Sequence, residues 1–200
     1  MSSPTTIIES RAASATPAAN KRLPNSVLGM IIFVIAEVMF FAALMSAHTI
    51  ARATVLGGVW PPAGQPRLPI GRTAFNTAIL LLSGALLFLS SRRARDGYDK
   101  ALSYLAGAIV TGIAFVLLQG VEWLALLREG LTMQSSTHGA FFYLIVGAHA
   151  LHALVAIVLL VAIYFPMRRG TLAPATFTAM QVFWYFVVLL WPVIYLRVYL

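Results

Sequence analysis

The sequence predicts an all-α integral membrane protein, a bundle of five transmembrane helices with a cytoplasmic N-terminus and a periplasmic C-terminus. Three observations carry that expectation. Apolar residues make up 60 % of the 200 positions and charged ones only 10 %, with a mean hydropathy of +0.86, whereas a soluble domain is about half apolar and a quarter charged. Five apolar runs are long enough to cross a hydrocarbon core of about 30 Å, for which roughly 20 helical residues suffice. Finally, nine of the 14 Lys and Arg residues fall on the side of the N-terminal tail and five on the other, so the positive-inside rule sets the orientation.

In chain order, residues 1–24 read as a disordered cytoplasmic tail of Ser, Thr, Ala and Pro, without the apolar core of a signal peptide. The transmembrane domain follows over 25–200, with helices expected near 28–50, 73–91, 101–127, 138–165 and 177–197. A Pro- and Gly-rich stretch from Gly57 to Gly64 separates the first two because it cannot continue a helix. The other connections are short, which makes consecutive helices antiparallel neighbours. No internal repeat at the spacing of an inverted-repeat transporter is evident.

Composition also excludes chemistry. With no cysteine, disulfides, thiolate metal sites and thiol nucleophiles are absent. The net charge of +8 is read as orientation, not as a nucleic-acid surface, because no span combines clustered Lys and Arg with a soluble fold. Neither a phosphate-binding glycine loop nor an HExxH element occurs.

The informative residues are the polar ones inside apolar spans, where an ionisable group is expected to face the protein interior and find a partner. Glu37, Phe41, Leu44 and His48 share one helical stripe. His48 lies about 16 Å along the axis from Glu37, so the partner of Glu37 must come from another helix or from water. Gln119 and Glu122, three apart, can pair on one face. His138, His149 and His152 lie along one stripe of the fourth helix with Phe142 and Ile145. A structural reading makes all of these interhelical hydrogen-bonding groups, a functional one gives the carboxylates a proton-related role, and a third class is a membrane metalloenzyme on His138, His149 and His152. A stand-alone channel or carrier is a further class. Gly139, Gly147, Ala148, Ala150, Ala153 and Ala156 suit close helix packing, as does the small pair Ala108 and Gly112.

Taken in order, these residues resemble subunit III of the haem–copper oxidases, the cytochrome c oxidase subunit 3 family, in a short five-helix bacterial form. The resemblance runs over about 28–199. Ile35-Ala36-Glu37-Val38-Met39-Phe40-Phe41 is similar to the segment that holds the family's intramembrane carboxylate. Trp60-Pro61-Pro62-Ala63-Gly64 followed by Asn76-Thr77 resembles its W-P-P loop and the start of its next helix, with Ser83-Gly84 beyond. Gln119 with Glu122-Trp123, and Gly139 to Phe142 with Gly147 to His152, resemble two later motifs. Trp184 and Trp191 keep the spacing of the last, but Tyr185 stands where the family has His and Val188 where it has Asp.

The resemblance implies a noncatalytic accessory subunit with no cofactor of its own, haem and copper residing in partner subunits. It implies packing beside oxidase subunits I and II, support of proton uptake, contact with membrane phospholipids, no nucleic acid, and a multi-pass place in the bacterial inner membrane, and it leaves membership of a larger respiratory supercomplex open. The five-helix accessory protein of nitric oxide reductase shares much of the pattern and is the nearest alternative.

Overall fold

A computed structural model describes residues 23–54, 60, 66–94 and 97–200. The N-terminal tail up to residue 22, and Pro61 and Pro62 of the W-P-P loop, lie outside the described residues. Five long helices make up the described part: α1 (Asn25–Ala53), α2 (Ile70–Arg93), α3 (Tyr98–Arg128), α4 (Thr137–Arg168) and α5 (Pro174–Ile194). All five are long and apolar enough to cross a membrane. Whereas α5 starts three residues early and ends at Ile194, short of the expected 197, the first four extend one to three residues past the span read from hydropathy at each end, because the backbone satisfies its own hydrogen bonds best by continuing the helix until the chain reaches Gly, Pro or an interface. Gly130 and Gly170 do this after α3 and α4, at φ of 90° and 68°, where a side chain would be strained.

The end of the last helix departs from the expected plain helix. Pro192 lacks the N–H that would close its turn, and beyond Ile194 the chain widens into a π-helical segment, Tyr195–Tyr199. That widening turns the Tyr199 side chain inward, leaving it 6 % exposed.

α5 is the central element, packed against α1, α2 and α4, while α2 and α3 form the closest pair. Small and hydroxylated residues explain that closeness. The Ser83 hydroxyl donates to the Ala108 carbonyl at 2.6 Å and the Ser90 hydroxyl to that of Ala101 at 2.8 Å, bonds that are possible only when two backbones approach without large side chains between them. Two glycines act as sockets for α5. A Cβ on Gly84 would lie 2.9 Å from Cγ1 of Val188, and one on Gly112 would lie 2.8 Å from Cη2 of Trp184. Val188 therefore occupies, as a dry knob in the Gly84 notch, the position where the family pattern carries Asp. On α4, Ser136 caps the helix by accepting from the Gly139 N–H at 3.0 Å, and a Cβ on Gly139 would run into the Thr132 carbonyl oxygen.

The core is aromatic. Phe41, Phe115, Phe142, Trp184 and Trp191 are all fully buried, and the Phe115 and Trp191 rings meet edge to face at 5.1 Å. α1 contributes least to it: only Val27, Phe41 and His48 of its 29 residues are buried. Gly112→Val is expected to cost about 1–3 kcal/mol by overpacking against the immobile Trp184, visible as a lower midpoint of thermal unfolding in detergent. Gly29→Ala, whose Cβ meets nothing within 4 Å, leaves that midpoint unchanged or raised.

Candidate functional site

Two carboxylates lie inside spans, and each has acquired a partner set from other helices. Glu122 sits near the end of α3 and is 5 % exposed. Its Oε2 accepts from the Thr73 hydroxyl at 2.9 Å and from Gln119 Nε2 at 3.2 Å, and its Oε1 accepts from Asn76 Nδ2 at 3.1 Å. The second Gln119 Nε2 hydrogen reaches the Tyr199 hydroxyl oxygen at 3.0 Å, and the second hydrogen of Asn76 Nδ2 reaches Gln119 Oε1 at 3.5 Å. Both amide groups thus use both hydrogens, which fixes their orientation. The expected pairing of Gln119 with Glu122 is present, and Asn76 joins it. Thr77, next along α2, accepts from Trp191 Nε1 at 2.9 Å, so α2, α3, α5 and the π-helical segment are tied at one level of the bundle.

Glu37 on α1 meets α4. Its Oε2 lies 3.0 Å from His152 Nε2. On the far side of the ring, His152 Nδ1 is 2.7 Å from the Ala148 carbonyl oxygen. A carbonyl only accepts, so Nδ1 carries a hydrogen, and the contact between Nε2 and Oε2 holds one more proton, on the imidazole or on the carboxyl. In both arrangements the pair has no net charge, which is the form hydrocarbon tolerates. Phe41, Phe183 and Phe186 surround the His152 ring at 5.4, 6.3 and 6.2 Å between centroids. The side chains of His152 and Glu37 remain 15 % and 20 % exposed, so this pair is reachable from the lateral face of the bundle near mid-helix, unlike the Glu122 network.

The three histidines of α4 do not converge. His149 is 1 % exposed and tilts against Trp191 at 5.0 Å, with Phe41 and Phe115 each 6.5 Å away. Neither of its ring nitrogens has a partner. It borders a cavity of about 160 Å³ shared with Phe115, Gln119, Trp123 and Trp191. His138 instead faces Trp60 at 5.1 Å, and His48 of α1 meets the same indole at 5.6 Å. Trp60 is thereby wedged between α1 and α4, where hydropathy alone suggests an interfacial anchor. Among the described residues no three His, Cys, Asp or Glu side chains are grouped to hold a metal ion. The helical stripe on α4 is real, but its three imidazoles face three different neighbours because 11 residues at about 100° each return to the same face at a different depth.

Thr73 and Tyr199 are the members of the Glu122 network that sequence reading misses. Thr73 carries a weak signal, since it stands three residues before Asn76 and so shares its face. Tyr199 carries none, because its inward turn depends on the π-helical widening. Glu122→Leu is expected to leave one N–H of Asn76 and one of Gln119 unpaired, while Thr73 falls back on the Pro69 carbonyl at 3.0 Å, and to destabilise the bundle by about 1–3 kcal/mol, against about 0.5–1.5 kcal/mol for Tyr199→Phe, which removes one bond. Unfolding midpoints of the two variants in the same detergent give the comparison; equal midpoints contradict it.

Comparison with known proteins matches this sequence to a family. The family model described as cytochrome c oxidase subunit III matches residues 11–200. Cytochrome c oxidase subunit 3 of Bos taurus is 31 % identical over 192 residues, which cover 92 % of this chain and 71 % of that one. The corresponding protein of Ovis aries is 30 % identical over 192 residues, 92 % of this chain and 71 % of its own. That of Tragelaphus oryx is 30 % identical over 179 residues, 86 % and 67 % of the two chains. The chain therefore belongs to the cytochrome c oxidase subunit III family, and its five long apolar helices make it a multi-pass membrane member.

Proposed function

We propose that this chain is the noncatalytic accessory subunit III of a respiratory haem–copper terminal oxidase of the cytochrome c type, packing on catalytic subunit I in a complex with subunit II. It stabilises the large subunit and supports proton uptake during oxygen reduction. The haem and copper belong to those partners. The setting is a bacterial inner membrane, with the N-terminus cytoplasmic and the C-terminus periplasmic, as the distribution of Lys and Arg supports. Membrane phospholipids are further partners, and the complex joins a larger respiratory assembly.

The observation that carries the proton-related part is the Glu37–His152 pair. Its two groups lie 3.0 Å apart and are partly exposed, so the pair can take up a proton from a neighbouring surface and release one, returning to net neutrality once uptake and release are matched. The Glu122 network lacks that access and is assigned a structural part, holding α2, α3 and the chain end in register.

The test starts from the full chain, tagged and purified in mild detergent from its native membrane. Copurification of a larger subunit whose haem absorbance travels with it, and oxygen uptake by the product, is the expected outcome. A nitric oxide reductase large subunit in its place overturns the oxidase reading in favour of the reductase accessory protein. In the complex, Glu37→Gln is expected to shorten the number of turnovers before inactivation by roughly threefold to tenfold, the change in a rate that about 1 kcal/mol produces, with the subunits still assembled. Turnover that is unchanged removes the proton-related role.

A further inference from the structure

Between α3 and α4 lies a cavity of about 160 Å³. Its inner end is formed by Phe115, His149 and Trp191, none more than 2 % exposed, and its outer end by Gly120 and by Leu154, which is 49 % exposed. A Cβ on Gly120 would meet nothing within 4 Å, so the missing side chain leaves the way to the lateral face of the bundle open. Both outer residues lie inside spans, and a guest that enters there arrives dissolved in the apolar part of the membrane.

The polar groups around this space differ in what they have left to offer. Gln119 commits both amide hydrogens to Glu122 and Tyr199 and turns its carbonyl oxygen to Asn76. His149 commits nothing: both ring nitrogens are buried without a partner, as is Trp123 Nε1 beside the same cavity. A buried imidazole with no bond in the protein is costly to keep. No charged side chain borders the space among the described residues, and its inner walls are aromatic, with Trp191 5.0 Å and Phe115 6.5 Å from the His149 ring. Volume sets the size of the guest, since an apolar cavity of about 150 Å³ stays dry and takes up one benzene ring.

We infer that this cavity is a binding site for a single six-membered ring carrying a hydroxyl or carbonyl oxygen, packed among the aromatic side chains and hydrogen-bonded to His149. A neutral imidazole has one donor and one acceptor nitrogen. It can therefore pair with a phenol hydroxyl in either sense, or donate to a quinone carbonyl. Aromatic walls hold a flat ring by offset and edge contacts, whereas an acyl chain leaves the imidazole unpaired and an ion finds no opposite charge. Such a ring reaches a membrane protein from two sources: a benzoquinone whose isoprenoid tail leaves past Gly120 and Leu154, or a free phenol. This inference needs only the membrane setting and does not depend on which complex the chain serves.

The experiment photolabels the full chain, with whatever subunits copurify in mild detergent, using tritiated 4-azidophenol, and maps the adducts by peptide mass spectrometry. Saturable labelling is expected on the segments 115–123 and 146–154. Unlabelled phenol should compete about threefold to tenfold better than toluene, the contribution of one hydrogen bond. His149→Leu is expected to abolish that advantage while toluene still competes. Gly120→Leu, which closes the outer end, should remove the labelling, and Gly29→Ala should leave it unchanged. Circular dichroism and elution volume establish that each variant is folded, and the Gly120 comparison stands if the His149 variant is not. A parallel arm extracts the untreated protein with organic solvent: a quinone that copurifies with the native chain and is lost in Gly120→Leu supports the site and assigns the isoprenoid source, while saturable labelling with no such quinone supports it and assigns a free phenol. Equal competition by phenol and toluene in the native protein overturns the proposal in favour of a plain apolar void. Labelling that does not saturate, or that persists in Gly120→Leu, overturns it as well, and so does a failure of both competitors, which leaves the space to water.

Discussion

Hydrocarbon offers no hydrogen bond, and nearly every polar feature of this bundle follows from that single constraint. A carboxyl placed inside a span must be satisfied by neighbouring helices, because an unsatisfied polar group there costs several kcal/mol. Glu122 meets the demand by collecting Thr73 and Asn76 from α2 and Gln119 from its own helix, with Tyr199 closing the far side. The same bonds that neutralise the group specify which helices touch and at what height. A polar centre in lipid is therefore a register device as much as a chemical one, since any vertical slip of α2 against α3 would break several bonds together.

Between polar centres the bundle is held by shape. α5 carries large side chains and faces glycines: Val188 enters the notch of Gly84 and Trp184 that of Gly112. This pairing shows how the last helix seats Val188 where the family pattern it resembles has Asp. At position 188 a carboxylate would need a partner in a notch with no room for one, whereas a valine needs only the missing Cβ of Gly84. The polar work of α5 is shifted to its end, where Trp191 donates to Thr77 and the widened turn brings in Tyr199.

The helices and their order are legible in the sequence because a run of some twenty apolar residues has few other fates in a chain this hydrophobic. So is the pairing of Gln119 with Glu122, which is local and follows from helical spacing. The partner of Glu37 is not. Its position requires another helix, but His138, His149 and His152 all offer imidazoles from one face, and only packing depth decides that His152 meets Glu37 while His149 meets Trp191 and His138 meets Trp60. Periodicity gives the face of a helix and not its height against a neighbour. Tyr199 is hidden for a different reason, since a departure from 3.6 residues per turn redirects every side chain beyond it, and one proline signals where a turn is weakened but not how it rearranges.

The two carboxylate centres are separated by an aromatic layer, which bears on the roles proposed for them. Phe41 contacts both the His152 and His149 rings, and Phe115 and Trp191 continue the layer toward Gln119. His149 stands within it, one turn from His152, with neither nitrogen bonded. No hydrogen bond among the described residues joins Glu37 and His152 to the Glu122 network. The Glu37–His152 pair therefore opens toward the lateral face of the bundle, not toward the Glu122 network. That pair is also the more open of the two, while Glu122 is 5 % exposed and held among Thr73, Asn76, Gln119 and Tyr199. The proposed proton exchange fits the open pair and not the enclosed network, because a group that must trade protons needs access, and a group that fixes helix positions is best kept from alternative partners.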